Sequence, residues 1–372
     1  MWNVDVPSRD ELISLASLRQ PGIVSIYLPT TPISPDAQAD RIALKNLASD
    51  AVSRLEAVPE VSAAAVAEIE DELADLVDDD SFWENQAQGL AIVVTAEHLS
   101  IFRLPTPVVA QVHVSDRAFL KPLLSITSHP MVCYVLALAE GGVRLIEVPA
   151  DLPPSTVRIP ELPKSAADAA GKSSIGDRSH SGRLVGSEGK RTHIRHYARK
   201  VDAALRPTLA GDDVPLILAA VEPVRSIFRA LNSYPHLVDT VIETNPDRAT
   251  DQELAAAGRE VLETVYADML TELGTTFEAR RAQGRGVTDV ADAARAATAG
   301  AVDTLLIDRD HTLMGFVDEQ GAVTFDDANP AAYGVIDEIS RRVLLTGGRV
   351  LSVEAHHVPT GQPVAAILRF AI

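Results

Sequence analysis

The residues whose types and spacing could do chemistry are one glycine-flanked serine, two histidine pairs and two short acidic clusters. Gly186-Ser187-Glu188-Gly189-Lys190 has the outline of a phosphate loop, in which backbone amides cradle phosphates and a lysine reaches the terminal ones. The pattern fails at both ends: Leu184 stands where the first glycine belongs, and Arg191 where Ser or Thr would bind magnesium. Ser187 and Lys190 keep a serine–lysine hydrolase spacing, but neither Ser-Asp-Asn nor Lys-Thr-Gly occurs. His193 and His196, three apart, could place two imidazoles on one metal, yet no acid or cysteine stands at a matching offset. His356-His357 falls in a stretch that reads as strand, where successive side chains face opposite ways, so the pair is not expected to chelate. Asp308-Arg309-Asp310 and Asp326-Asp327 read as turn and capping residues. These residues give no catalytic group, no metal site and no cofactor.

A charge anomaly remains. Between Gly171 and Arg206 there are nine Lys/Arg against three acids, a local balance of +6 in a chain of formal net charge −19. The first half of the stretch is Gly, Ser and charge, which reads as an exposed loop to Gly189. From Lys190 the apolar residues Ile194, Tyr197, Val201, Ala204 and Leu205 recur at helical spacing, which predicts a helix over 190–206. Lys190, Arg191, Arg195, Arg199 and Lys200 then share its outer face, and Arg183 lies in the loop whose tip is Gly186, Ser187, Glu188 and Gly189. A broad cationic face suits a phosphodiester backbone. The alternative is a solvated charged face. The loop's glycines and the contrast with the acidic remainder favour RNA contact through Arg183, Lys190, Arg191, Arg195, Arg199 and Lys200.

The elements that must hold this segment come from the rest of the 372 residues, enough for two or three domains. A hydrophobic content of 46% with 23% charged residues is globular composition. The lone cysteine, Cys133, sits in an apolar run, which excludes a disulfide framework and fits a reducing compartment. The N-terminus lacks the pattern of a secretory signal and no stretch is apolar enough to span a bilayer, so a cytoplasmic, membrane-free protein is expected. IVSIYL at 23–28 reads as a strand, with Asp36 placed to cap a helix over 37–55. A helix over 60–77 follows, then strands LAIVVT, LSIFRL and VVAQVHV. MVCYVLALA and VRLIEV flank Gly141-Gly142 as a hairpin. LILAAV after Pro215 reads as a buried parallel strand. A long helix over 250–283, a helix over 289–297, strand VDTLLID, a second hairpin (LMGFV and AVTF), a helix over 331–345 and strands RVLSVEA and AAILRF form an α/β/α sandwich pattern. The expected fold class is α/β in three domains, 1–124, 125–249 and 250–372.

VSIYLPT and DRIALKNLASDAVSRL resemble the opening of the bacterial relatives of the archaeo-eukaryotic peptide-chain release factor. The likeness continues through YVLALAEGGVRLIEV, HIRHYARKVDAAL, PLILAAVEPVRSIFR, AGAVDTLLID and GGRVLSVEAHHVPTGQPVAAILRF. The resemblance implies an N-terminal α/β domain, a central ribonuclease-H-like domain, and a C-terminal domain like the small kink-turn-binding ribosomal proteins. It also implies a ribosome-bound monomer contacting ribosomal RNA and tRNA near the peptidyl-transferase centre, with a translation GTPase engaging the C-terminal domain. In release factors the loop before the basic helix carries Gly-Gly-Gln, which positions the hydrolytic water. Here that loop reads Gly186-Ser187-Glu188-Gly189-Lys190-Arg191, and no glutamine lies between Gln111 and Gln252. The resemblance therefore implies A-site occupancy without peptide release, in ribosome hibernation or rescue. Two alternatives stay open: peptidyl-tRNA hydrolysis through Ser187 or Glu188, and a stress-related protein–protein adaptor.

Overall fold

The computed structural model describes residues 4–32, 37–129, 132–149, 153–171, 187–211, 214–329 and 332–371. In chain order, α1 (Arg9–Ser17) precedes β1 (Ile23–Pro29), α2 (Ala37–Glu56), α3 (Ala63–Asp78) and the short α4 (Asp80–Trp83). β2 (Gly89–Val94), β3 (Leu99–Leu104), β4 (Gln111–Ser115) and α5 (Lys121–Ser128) complete the N-terminal part. Next come β5 (Val132–Leu138), β6 (Val143–Pro149), β7 (Ser155–Val157), α6 (Ala166–Ala169), α7 (Ser187–Leu209), β8 (Leu216–Ala219), α8 (Val224–Arg229) and β9 (Leu237–Ile242). The chain continues through α9 (Asp251–Arg281), β10 (Gly286–Val287), α10 (Val290–Thr298), β11 (Val302–Asp308), β12 (Met314–Val317), β13 (Val323–Phe325) and β14 (Tyr333–Gly334). It ends with α11 (Val335–Leu345), β15 (Arg349–Val353) and β16 (Val364–Leu368). The mixed α/β class matches expectation. Asp36, the anticipated cap of α2, lies outside the described residues.

By compactness there are two units, residues 130–268 and residues 1–129 with 269–372. The expected N- and C-terminal domains thus fall within one unit, although each keeps its own sheet. The N-terminal sheet runs β3-β2-β1-β4 and is antiparallel throughout. Every residue of β1 up to Leu28 is buried, as is all of β2, with α2 and α3 packed on one face through Leu44, Leu55, Ile69 and Leu73. The C-terminal sheet runs β10-β16-β11-β15, with β11 and β15 parallel, and a small sheet β13-β12-β14 stands beside α11. α5 straddles the expected boundary at 124, and it packs on β15 of the C-terminal sheet.

A buried charge cluster ties these two parts of the unit together. Glu338 on α11 is 1% exposed and accepts from Arg117 Nη1 at 2.6 Å, Arg341 Nε at 2.8 Å and Arg342 Nε at 2.8 Å. Its neighbour Asp337 accepts at 3.0 Å from each of the Leu120 and Lys121 amides, so an α11 side chain caps the N-terminus of α5. The Arg117 guanidinium lies 3.6 Å from the centre of the Tyr333 ring, and Arg341 reaches back to the Ala16 carbonyl at the end of α1.

The 130–268 unit is a mixed five-stranded sheet, β7-β6-β5-β8-β9, antiparallel through β6 and parallel through β8 and β9. Alternation along β5 divides its core: Leu136 and Leu138 face the α7 and α8 side, while Cys133, Val135 and Ala137 face Leu254, Ala255 and Leu262 of α9. Helices therefore cover both faces, in keeping with the ribonuclease-H-like layout the resemblance implies. Burial pushes the Cys133 thiol up to about 12, which leaves it unreactive. α9 starts with Thr250 and Glu253 bonded reciprocally and with Asp251 held by Arg144 at 2.7 Å. Gly258 permits the close approach of α9 to β5, because a Cβ there would sit 2.7 Å from Val135 Cγ2. The sequence places α9 wholly in a C-terminal domain, whereas its first half is core material of this unit. No helix among the described residues is long and apolar enough to cross a membrane.

Candidate nucleic-acid interface

α7 forms because an apolar stripe meets a ready surface. Ile194, Tyr197, Ala198, Val201, Leu205 and Leu209 are each 3% exposed or less and pack against Leu136, Leu145, Leu216, Leu218 and Phe228. Six such side chains, each stabilising by roughly 1–3 kcal/mol on burial, fix the rotation of the helix about its axis. The polar stripe is then fixed as well.

At its far end the helix is anchored by Asp202, which is 4% exposed. Asp202 accepts from the Ser233 amide at 2.8 Å, the Ser233 hydroxyl at 2.9 Å and Arg206 Nη2 at 2.7 Å. Asp202→Ala strands these donors and is expected to destabilise the 130–268 unit by about 2–3 kcal/mol. Amide hydrogen exchange along α7 and α8 checks this, since faster exchange should be confined to that unit.

The six residues expected to contact RNA divide into three groups. Arg183 lies outside the described residues. Lys190 is paired with Glu140 at 2.9 Å, which ties the start of α7 to the β5–β6 turn, and Lys200 donates to the Ala169 carbonyl at the end of α6 at 2.9 Å. Arg191, Arg195 and Arg199 are exposed, and none pairs with an acid among the described residues. Spaced by four, they form one row rising about 12 Å along the helix. The lysines brace the helix and the arginines present charge.

The loop tip also changes. α7 begins at Ser187, three residues before the expected Lys190, so Ser187, Glu188 and Gly189 stand in its first turn rather than in a loop. Helical spacing could not show this, because none of the three carries an apolar side chain that would register in the periodicity. Gly186 lies outside the described residues. His193 and His196 belong to no group of three metal-capable side chains among the described residues.

The compact unit 130–268 has a counterpart in sequence: residues 130–268 match the model of bacterial archaeo-eukaryotic release factor family 11. This unit is release-factor-like. No curated protein matches the chain. Among solved structures it is similar to archaeal Pelota in a ribosome-bound assembly with ABCE1, at 14% identity and a TM-score of 0.40, covering 99% of this chain and 96% of that one. It is also similar to Archaeoglobus fulgidus Pelota (13% identity, TM-score 0.30, 99% and 94% covered). The archaeal translation termination factor aRF1 gives 14% identity and a TM-score of 0.23, with 98% and 99% covered. The family match covers the 130–268 unit, which carries α7 and its arginine row.

Proposed function

We propose that this release-factor-like protein is a ribosome-associated translation factor that sets the Arg191–Arg195–Arg199 row of α7 against ribosomal RNA. The observation that carries the reading is that row: three exposed arginines, held in line by a buried apolar stripe, on a chain of net charge −19. An acidic body is repelled by RNA everywhere except at such a row, so charge selects both the target and the orientation.

The finer reading is occupancy of the A site beside the peptidyl-transferase centre, in ribosome hibernation or rescue, with a translation GTPase met through the C-terminal residues. Peptide release is not part of it, since the stretch from Gln111 to Gln252 holds no glutamine to position a water. Two measurements test this reading. Purified 70S ribosomes should retain the protein on sedimentation, with retention falling steeply as salt rises. Peptidyl-tRNA in programmed ribosomes should stay intact when the protein is added. Release above background would transfer the function to hydrolysis through the segment around Ser187 and Glu188, and absence of ribosome retention at low salt would overturn the proposal.

A further inference from the structure

β15 ends at Val353, and the chain turns at once through a 3-10 helix, Ala355–His357, instead of continuing as the strand the sequence predicts. The turn reverses the expectation for the paired histidines. In a strand their side chains would diverge, but in a 3-10 turn they are carried round by about 120° and stay on neighbouring faces. The rings lie with centroids 3.9 Å apart and tilted by 40°. Glu354, which immediately precedes the turn, places Oε2 3.4 Å from His356 Nδ1. One ligand atom from each of Glu354, His356 and His357 falls within 4.8 Å of the other two, and this is the one such group of three among the described residues.

We propose that Glu354, His356 and His357 bind a divalent transition-metal ion of the zinc type. Tetrahedral zinc, with ligands at about 2.1 Å, needs donor atoms about 3.4 Å apart, which is a side-chain adjustment away from the separations here. Glu354 and His356 are exposed and have rotamer freedom to make it. Two imidazole nitrogens and one carboxylate oxygen form a borderline donor set that suits zinc, nickel or copper and disfavours the all-oxygen cations magnesium and calcium. The carboxylate is already divided between tasks: its Oε1 accepts from Arg309 Nη2 at 2.9 Å, while Oε2 faces the histidines. Arg309 thus holds the carboxylate plane so that one oxygen remains for the metal, the role of an outer-sphere partner. Three protein ligands leave the fourth position open to water.

Titration of the full-length chain with zinc, read by competition against a chromophoric chelator, tests the proposal. The site should take up one equivalent, and His356→Gln, His357→Gln and Glu354→Gln should each weaken it by about tenfold or more. Cobalt should give the intense visible bands of a four-coordinate site in the parent and lose them in the double histidine variant. The variant His193→Gln/His196→Gln should bind as the parent does. All these side chains lie outside the core, so folding is preserved. Zinc uptake undiminished in the His356→Gln/His357→Gln variant, or no uptake by the parent at millimolar metal, would overturn the assignment.

Discussion

Replacing Glu338 by alanine is expected to destabilise the unit formed by residues 1–129 and 269–372 by about 3–5 kcal/mol, the cost of leaving Arg341 and Arg342 without their anion and Arg117 with Asp116 alone. Glu338 is 1% exposed, and the side chains of its partners Arg117, Arg341 and Arg342 are 7%, 12% and 15% exposed. None of the three arginines can shed its proton, so each would keep a desolvated charge. Residues 130–268 contain no tryptophan and Trp83 is buried in this unit, so tryptophan fluorescence during urea unfolding reads it selectively. The expected result is a lower midpoint in that signal. A shift below about 1 kcal/mol would mean that the cluster is not holding the two sheets together.

The adjacent Asp337 gives the same interface a pH dependence of opposite sign. Burial, reinforced by the charge of Glu338, raises the Asp337 carboxyl from 3.8 to about 7 against the two amides that favour its ionised form. Between those values the folded chain keeps a proton that the unfolded chain releases, so stability falls as pH rises, by up to about 1.4 kcal/mol per pH unit. For Glu338 burial is outweighed by Arg341, Arg117 and Arg342, which hold the carboxyl near 2. Its contribution is complete above its ordinary 4.5 and is lost as pH falls from 4.5 toward 2. The contribution of these two carboxyls is greatest near pH 4–5, while His113 of the same unit, held near 4 by burial, adds stability that rises between pH 4 and 6.5. Asp337→Asn keeps the amide contacts without a titrating charge and should make the slope of stability against pH more positive than in the parent from pH 5 to 7. Urea midpoints across that range decide it, and an unchanged slope in the variant would remove Asp337 as the cause.

The second large effect concerns binding. Arg191→Glu/Arg195→Glu/Arg199→Glu should weaken ribosome association by about a hundredfold or more at 0.1 M salt, since three exposed phosphate contacts of about 1 kcal/mol each are lost and replaced by repulsion. Substituting alanine at the same three positions should reduce the slope of log affinity against log salt by about 2. Neither set touches the apolar stripe of α7, so the fold is kept. Lys190→Ala and Lys200→Ala should act differently, loosening the ends of α7 with a smaller loss of affinity.

Much of this was legible in the sequence wherever a pattern was periodic and local. The rotation of α7 followed from Ile194, Tyr197, Val201 and Leu205, and the two hairpins followed from alternation around Gly141-Gly142 and in 313–325. What stayed hidden depended on partners distant in the chain. Glu140 and Ala169 engage Lys190 and Lys200, and they lie 50 and 31 residues away. Asp337 and Glu338 read as ordinary acids in a first helical turn, yet their partners Leu120 and Arg117 stand more than 200 residues upstream. α9 carries one continuous helical pattern, and periodicity does not say that its two halves belong to different compact units. The His356-His357 reading failed for a local reason: the strand pattern of 349–355 was extended past Val353, where Glu354 turns the chain out of the sheet.

The measurement that reaches the central claim most directly is a cryo-electron microscopy reconstruction of the protein on 70S ribosomes. α7 should lie along ribosomal RNA with Arg191, Arg195 and Arg199 within hydrogen-bonding distance of phosphate oxygens. A complex in which those three side chains face solvent, with another surface of the protein on the ribosome, would contradict the account.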